Sequence, residues 1–204
     1  MLRQLFNKHK CDKGHRHGYE SVYEPDFEKV REEPINILEV GILRGESIRA
    51  WVEYFPNATI YGIDNFSRVS ANTISILDHE RVKWLSADSM SPGLKEHIKE
   101  NWGNVKFDFI IDDGLHTPRA NAATFSNLYP LLKKGGIFYI EDVFPIDKLT
   151  IQEMNLPFFA NKGDTFSMIE YNKFLNIVNP YKPEQIDLRK NTGNLDSYIF
   201  KVVK

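Results

Sequence analysis

From Pro34 onward, short β-branched or aromatic runs alternate with turns and longer stretches of helical spacing, a pattern that stacked βαβ units satisfy and few other folds do. Runs at residues 35–40, 59–63, 82–86, 107–111 and 136–140 predict five parallel strands, because the segments between them are long enough for crossover helices. Residues 47–54 read as the helix after the first strand. Pro118 suits the first turn of the helix before the fifth strand, and Lys133-Lys134-Gly135-Gly136 suits that helix's end. Regularity lapses between Val143 and Asp164, where Pro145, Pro157 and Phe158-Phe159 predict an inserted loop or lid. Phe144, Phe158 and Phe159 could pack there on a bound ring, but a local core is the default expectation. Helical spacing resumes with Phe166, Ile169, Leu175 and Val178. Residues 185–189 and 197–203 read as two strands around Lys190-Asn191-Thr192-Gly193-Asn194, a composition that favours a tight reversal.

The expected class is therefore a Rossmann-like, doubly wound α/β fold: a mostly parallel seven-stranded sheet with a C-terminal antiparallel hairpin over residues 34–204. Residues 1–33 are polar and aromatic without a sustained period, and they read as an arm or cap over the active site. At 204 residues, 42% hydrophobic and 26% charged, the chain can bury one core and lacks the composition of disorder. A formal net charge of −2 provides no basic face for a nucleic acid. The basic opening MLRQLFNKHK is not followed by an apolar stretch of seven or more residues, so neither a signal peptide nor a membrane span is expected. The single cysteine, Cys11, cannot form an intramolecular disulfide, and a reducing cytoplasmic setting fits.

Two constellations carry chemistry. The first strand ends in Glu39-Val40-Gly41-Ile42-Leu43-Arg44-Gly45, with Ser47 opening the helix, and such glycines let backbone approach a ligand at the sheet's carboxyl edge. Asp64 follows the second strand at about the 20-residue offset from which an acid accepts ribose hydroxyls. Asp88, after the third strand, is placed to reach an adenine amino group. A dinucleotide enzyme would want G-x-G-x-x-G, which disfavours an NAD-dependent oxidoreductase. S-adenosylmethionine has no phosphate, and its ammonium and sulfonium suit Glu39 in place of the first glycine.

The second constellation is Asp112-Asp113-Gly114-Leu115-His116 after the fourth strand and Glu141-Asp142 after the fifth. Adjacent parallel strands bring these ends together, and four carboxylates in one cleft call for a hard cation such as Mg²⁺, Mn²⁺ or Ca²⁺. Such an ion would lower the pKa of a substrate hydroxyl, and His116 is the candidate general base. Cys11 with His9, His15 and His17 also invites a zinc reading, at an unfavourable spacing.

Glu39/Gly41/Gly45, Asp64 and Asp88 resemble the nucleotide-binding motifs of class I S-adenosylmethionine-dependent methyltransferases, and the terminal Ser197-Tyr198-Ile199-Phe200 resembles their antiparallel strand insertion. D-D-G-x-H followed by G-G and I-E-D is similar to the metal-dependent sugar O-methyltransferases that tailor macrolide antibiotics. That resemblance implies Asp113, Glu141 and Asp142 as Mg²⁺ ligands, Asp113 and His116 as the catalytic pair, and Asp112 at the methionine end of the cofactor. Asp12-Lys13-Gly14-His15-Arg16-His17-Gly18-Tyr19 is similar, more loosely, to a segment that covers the pocket in that group. The acceptor implied is a small molecule, a sugar hydroxyl for which metal chelation favours a vicinal diol, with room for a homo-oligomer. The non-catalytic alternative is an S-adenosylmethionine-binding module of the same fold.

Overall fold

The five parallel runs fold as β1 (Asn36–Val40), β2 (Thr59–Asp64), β3 (Val82–Ser86), β4 (Phe107–Asp112) and β5 (Leu132–Ile140). They are followed by β6 (Glu184–Asp187) and β7 (Tyr198–Val203). The computed structural model describes residues 1–160 and 163–204, without the side chains of 158, 160, 163 and 164. One seven-stranded sheet has the order β3-β2-β1-β4-β5-β7-β6, with β7 antiparallel to both of its neighbours. This is the doubly wound, mostly parallel class expected. Ile37, Leu38, Ile60, Ile110 and Ile111 are fully buried, as central strands covered on both faces require.

The register sets the site. Val40 pairs with Asp112, and Asp112 with Ile140, so the residues that follow, Gly41, Asp113 and Glu141, leave the sheet side by side. Their amides prolong the ladder, with Asp113 N–H donating to Val40 at 2.9 Å and Glu141 N–H to Asp112 at 3.0 Å.

Helix α4 (Glu46–Tyr54) follows β1, α5 (Leu94–Trp102) follows β3, and α6 (Pro118–Leu128) follows β4. Thr117 caps α6 by accepting the Ala120 amide at 3.2 Å, with Pro118 in the first turn. Between β2 and β3 the crossover holds two 3₁₀ turns, Ala71–Thr73 and Ser75–Asp78, and no α-helix. The end expected for α6 is corrected. The helix stops at Leu128, because Pro130 has no amide to continue it, and Lys133, Lys134 and Gly135 belong to β5. Lys133 there pairs with Asp108 at 2.7 Å.

The tight C-terminal reversal is also corrected. The antiparallel pair forms, but its link contains α10 (Arg189–Thr192), started by Asp187 accepting the Arg189 amide at 3.1 Å and ended by Gly193 at φ 74°. The expected lid is built of short helices: a 3₁₀ turn at Ile146–Lys148, then α7 (Ile151–Met154) and α8 (Pro157–Ala160), before α9 (Met168–Val178) packs on α6. Phe144, Phe159 and Phe166 stack edge to face at 5.2–5.6 Å, forming the local core. Residues 161 and 162 and the Phe158 side chain lie outside the described residues.

Residues 1–33 are part of the main core. They form α1 (Leu2–Lys8), α2 (Asp12–His15) and α3 (Glu20–Phe27), and Leu2, Phe6, Tyr19, Tyr23 and Phe27 are fully buried. Phe27 meets Trp51, Phe55, Phe109 and Tyr139 with ring centroids 4.7–6.0 Å away. Burying one such ring is worth roughly 1.5–3 kcal/mol, so these helices close one face of the sheet. Their short lengths, four to eight residues, hide any period from the sequence. Among the described residues no helix is long and apolar enough to cross a membrane.

Candidate active site

The carboxyl ends of β1 to β5 open onto a cavity of about 480 Å³, a size suited to a nucleoside-sized ligand. Of the residues singled out from sequence, Gly41, Asp64, Asp88, Asp113, His116 and Asp142 line it. Asp12, Arg16 and Asp196 join them from α2 and from the link before β7.

The nucleoside end is organised by backbone. Asp64 accepts the Ile42 and Leu43 amides on Oδ2 at 2.8 and 3.0 Å, and the Phe66 amide on Oδ1 at 2.7 Å. One carboxylate thus fixes the loops after both β1 and β2. Asp88 is exposed apart from accepting the Met90 amide at 2.9 Å. Gly41 has φ 93°, and a Cβ there would lie 2.0 Å from the Asp113 carbonyl oxygen, so glycine is required by both torsion and space.

Five expected residues stand away from the cavity wall. Glu39 is fully buried because strand alternation turns it toward α4, where Oε2 accepts Ser47 Oγ at 2.7 Å and Trp51 Nε1 at 3.1 Å. Glu39 and Ser47, both expected as cofactor contacts, share one internal hydrogen-bond network with Trp51. Gly45 caps α4 at φ 77°, facing Ile74 and Ile76. Asp112 is 1% exposed, turned inward to accept Asn121 Nδ2 at 3.2 Å, and burial pushes its carboxyl up to about 6. Glu141 is likewise 1% exposed, and both of its oxygens are engaged from below the cavity floor.

The engaging groups come from the N-terminal helices. Lys13, 2% exposed at its side chain, donates to Asp113 Oδ2, to Glu141 Oε2 at 2.5 Å, and lies 3.3 Å from Glu39 Oε1. Tyr23 OH donates to Glu141 Oε1. Burial works against the Lys13 ammonium, but the surrounding carboxylates outweigh it and hold the lysine protonated above its ordinary range. Burial raises the acids in turn, Glu39 to about 6 and Glu141 to about 8, against the pull of Lys13. Of the three expected metal ligands, Asp113 and Asp142 face the cavity, while Glu141 is engaged by Lys13 and Tyr23.

His116 completes the floor. Its Nε2 lies 3.5 Å from Asp113 Oδ1 and 3.9 Å from Asp142 Oδ2, and its buried Nδ1 has no hydrogen-bond partner among the described residues. His116 and Asp142 both hold left-handed backbone, φ 55° and 52°, a conformation costing of order 1–3 kcal/mol that tends to be retained where function needs it. The ligand atoms of Asp113, His116 and Asp142 lie within 4.8 Å of one another. Two carboxylate oxygens with the His116 Nε2 beside them fit a divalent ion. Asp142 also shares His17 and Asp196 in a second such grouping, and neither grouping found among the described residues contains Cys11. His17 bonds Ser197 Oγ at 2.9 Å and His9 pairs with Glu53 at 2.9 Å, so the zinc set does not assemble around Cys11.

Sequence reasoning gave no role to Tyr23 or Asp196 at this end and named Tyr19 only within the Asp12-to-Tyr19 stretch. Tyr19 OH donates to Asp142 Oδ1 at 2.5 Å, and Asp196 lies 4.0 Å from His17. The partners of that stretch at the site, Asp113 and Asp142, lie 100 and 123 residues from Lys13 and Tyr19.

Strand order, the antiparallel insertion and a nucleoside-sized cavity over the carboxyl ends of β1 to β5 define the class. Residues 38–143 match the methyltransferase domain family, and the chain belongs to it. It is similar to the 8-demethyl-8-(2-methoxy-alpha-L-rhamnosyl)-tetracenomycin-C 3'-O-methyltransferase of Streptomyces olivaceus, 32% identical over 151 residues. It is also similar to the mycinamicin VI 2''-O-methyltransferase of Micromonospora griseorubida, at 28% over 151 residues. Each alignment covers 70% of this chain but only 37% and 36%, respectively, of those proteins, so the chain spans little over a third of their length. In fold it matches the MycE methyltransferase of mycinamycin biosynthesis, solved in complex with Mg and SAH, with a TM-score of 0.69 at 21% identity, covering 98% of this chain and 53% of that one.

Proposed function

We propose that this chain moves a methyl group from S-adenosylmethionine to a hydroxyl of a sugar-bearing small molecule, with a divalent ion, Mg²⁺ for preference, at the acceptor end. The observation that carries the reading is the meeting of Asp113, His116 and Asp142 on the floor of the cavity whose other end is lined by Gly41, Asp64 and Asp88. The rhamnosyl group in the name of the Streptomyces olivaceus relative supports the acceptor class.

Asp64 and Asp88 offer carboxylate oxygens to the nucleoside's hydroxyl and amino groups, and Gly41 lets the cofactor approach the backbone. Asp113 and Asp142 would hold the divalent ion, with Glu141 beside them paired to Lys13. A divalent ion supplies Lewis acidity that eases loss of the acceptor's proton. His116 Nε2 takes that proton as the acceptor oxygen bonds to the methyl carbon, the carbon–sulfur bond breaks, and S-adenosylhomocysteine leaves. The reaction is balanced by the proton passing from acceptor to imidazole.

Calorimetric titration with S-adenosylhomocysteine and with Mn²⁺ tests the two halves separately, and mass spectrometry on a panel of rhamnosylated acceptors tests the transfer. We expect saturable binding of both and a product 14 Da heavier that chelator suppresses; absence of S-adenosylhomocysteine binding overturns the reading.

A further inference from the structure

Lys13 places a buried ammonium on the same carboxylate that faces the cavity's cation position. Asp113 gives Oδ2 to Lys13 and turns Oδ1 toward His116 at 3.5 Å, so one carboxylate stands between a fixed positive charge below and the cavity above. The lysine is held there by packing. Gly14 beside it lies so close to α1 that a Cβ would sit 2.7 Å from Phe6 Cβ, and Cys11 before it is buried. Around Nζ stand three carboxylates, those of Glu39, Asp113 and Glu141, which repel one another without a cation.

We propose that Lys13 is a built-in counter-cation that sets how tightly this cavity binds a divalent ion. It holds Asp113 and Glu141 together in the metal-free protein, and it opposes the ion for the same two acids. The inference rests on the metal reading above and assigns Lys13 a role in setting affinity that the reading itself does not contain. Two cations on opposite oxygens of one carboxylate repel, and the low-dielectric surroundings of a 2%-exposed ammonium strengthen that repulsion. The device keeps the acids in place when no ion is bound and keeps the ion exchangeable when one is.

Mn²⁺ binding followed by electron paramagnetic resonance, with S-adenosylhomocysteine affinity as the control, tests this without needing an acceptor. Lys13→Met is expected to tighten Mn²⁺ binding at least tenfold, to leave S-adenosylhomocysteine affinity within threefold, and to raise the melting-temperature gain on adding Mn²⁺ above that of the unaltered chain. Should Lys13→Met not fold, the comparison of Glu141→Gln with Glu141→Gln/Lys13→Met removes one buried acid first, and the double variant is expected to bind Mn²⁺ at least fivefold more tightly than the single. Unchanged or weaker Mn²⁺ binding on loss of Lys13, with cofactor affinity intact, overturns the proposal and leaves the lysine as a positioning residue. No Mn²⁺ binding by any of these proteins overturns the metal reading itself, and this inference with it.

Discussion

The two ends of the cavity are built from different materials. Over β1 to β3 the wall is backbone held in place by one side chain, Asp64, which gathers three amides from two loops at 2.7–3.0 Å. Over β4 and β5 it is charge held against charge, with Asp113 and Glu141 pinned by Lys13. The first end is local, its partners within 22 residues of Asp64; the second is assembled across 100 and 128 residues. A backbone-built end suits a ligand that recurs in many enzymes. A charge-built end can be retuned by substitution of single side chains.

If the ends are energetically separate, substitutions at each should leave the other's ligand untouched. The largest effect is expected from His116→Ala, a loss of roughly 10²- to 10⁴-fold in methyl-transfer rate with S-adenosylhomocysteine affinity unchanged. Near-normal turnover would remove the base role from this residue. Asp64→Asn is expected to weaken S-adenosylhomocysteine roughly 10- to 100-fold in a calorimetric titration, since an amide offers one acceptor where three donors converge, while Mn²⁺ affinity stays within threefold. Equal loss of both ligands would show that the division is false.

The smallest effect concerns the platform beneath the acid end. Asp26 of α3 meets Lys201 of β7 at 2.5 Å and Tyr139 of β5 at 2.8 Å, and although burial alone would raise its carboxyl, these partners hold it below the usual carboxylate range. A depressed folded-state pKa contributes stability above the unfolded value near 4, and that contribution is lost as pH falls through the folded one. Asp26→Asn should therefore cost roughly 1.5–3 kcal/mol in urea unfolding at pH 7 and progressively less below pH 4. A gap that stays constant with pH would show that the charge on Asp26 contributes nothing.

How much of this the sequence disclosed follows the same division. β1 to β5 were legible because buried parallel strands are continuous apolar runs, and Gly41, Asp64 and Asp88 because they sit at fixed offsets along such runs. Asp113, His116 and Asp142 were legible as strand-end polar clusters. The internal partners of Glu39 and Glu141 were illegible, because sequence gives the strand end but not which side of it a carboxylate faces. Tyr23 and the structural weight of Phe27 were illegible, since helices of four to eight residues carry too few turns to declare a buried face. The end of α6 was misplaced because the lysines and glycines after it suit a helix stop, yet Pro130 had already broken the helix.

The contact between Gly41 and the Asp113 carbonyl has a further consequence. With no side chain separating them, the turn after β1 and the turn after β4 form one wall, shared by the Asp64 end and the Asp113 end of the cavity. A methyl group added at position 41 would have to push the Asp113 main chain aside, so a lesion made at the nucleoside end would be felt first as a displaced carboxylate at the far end.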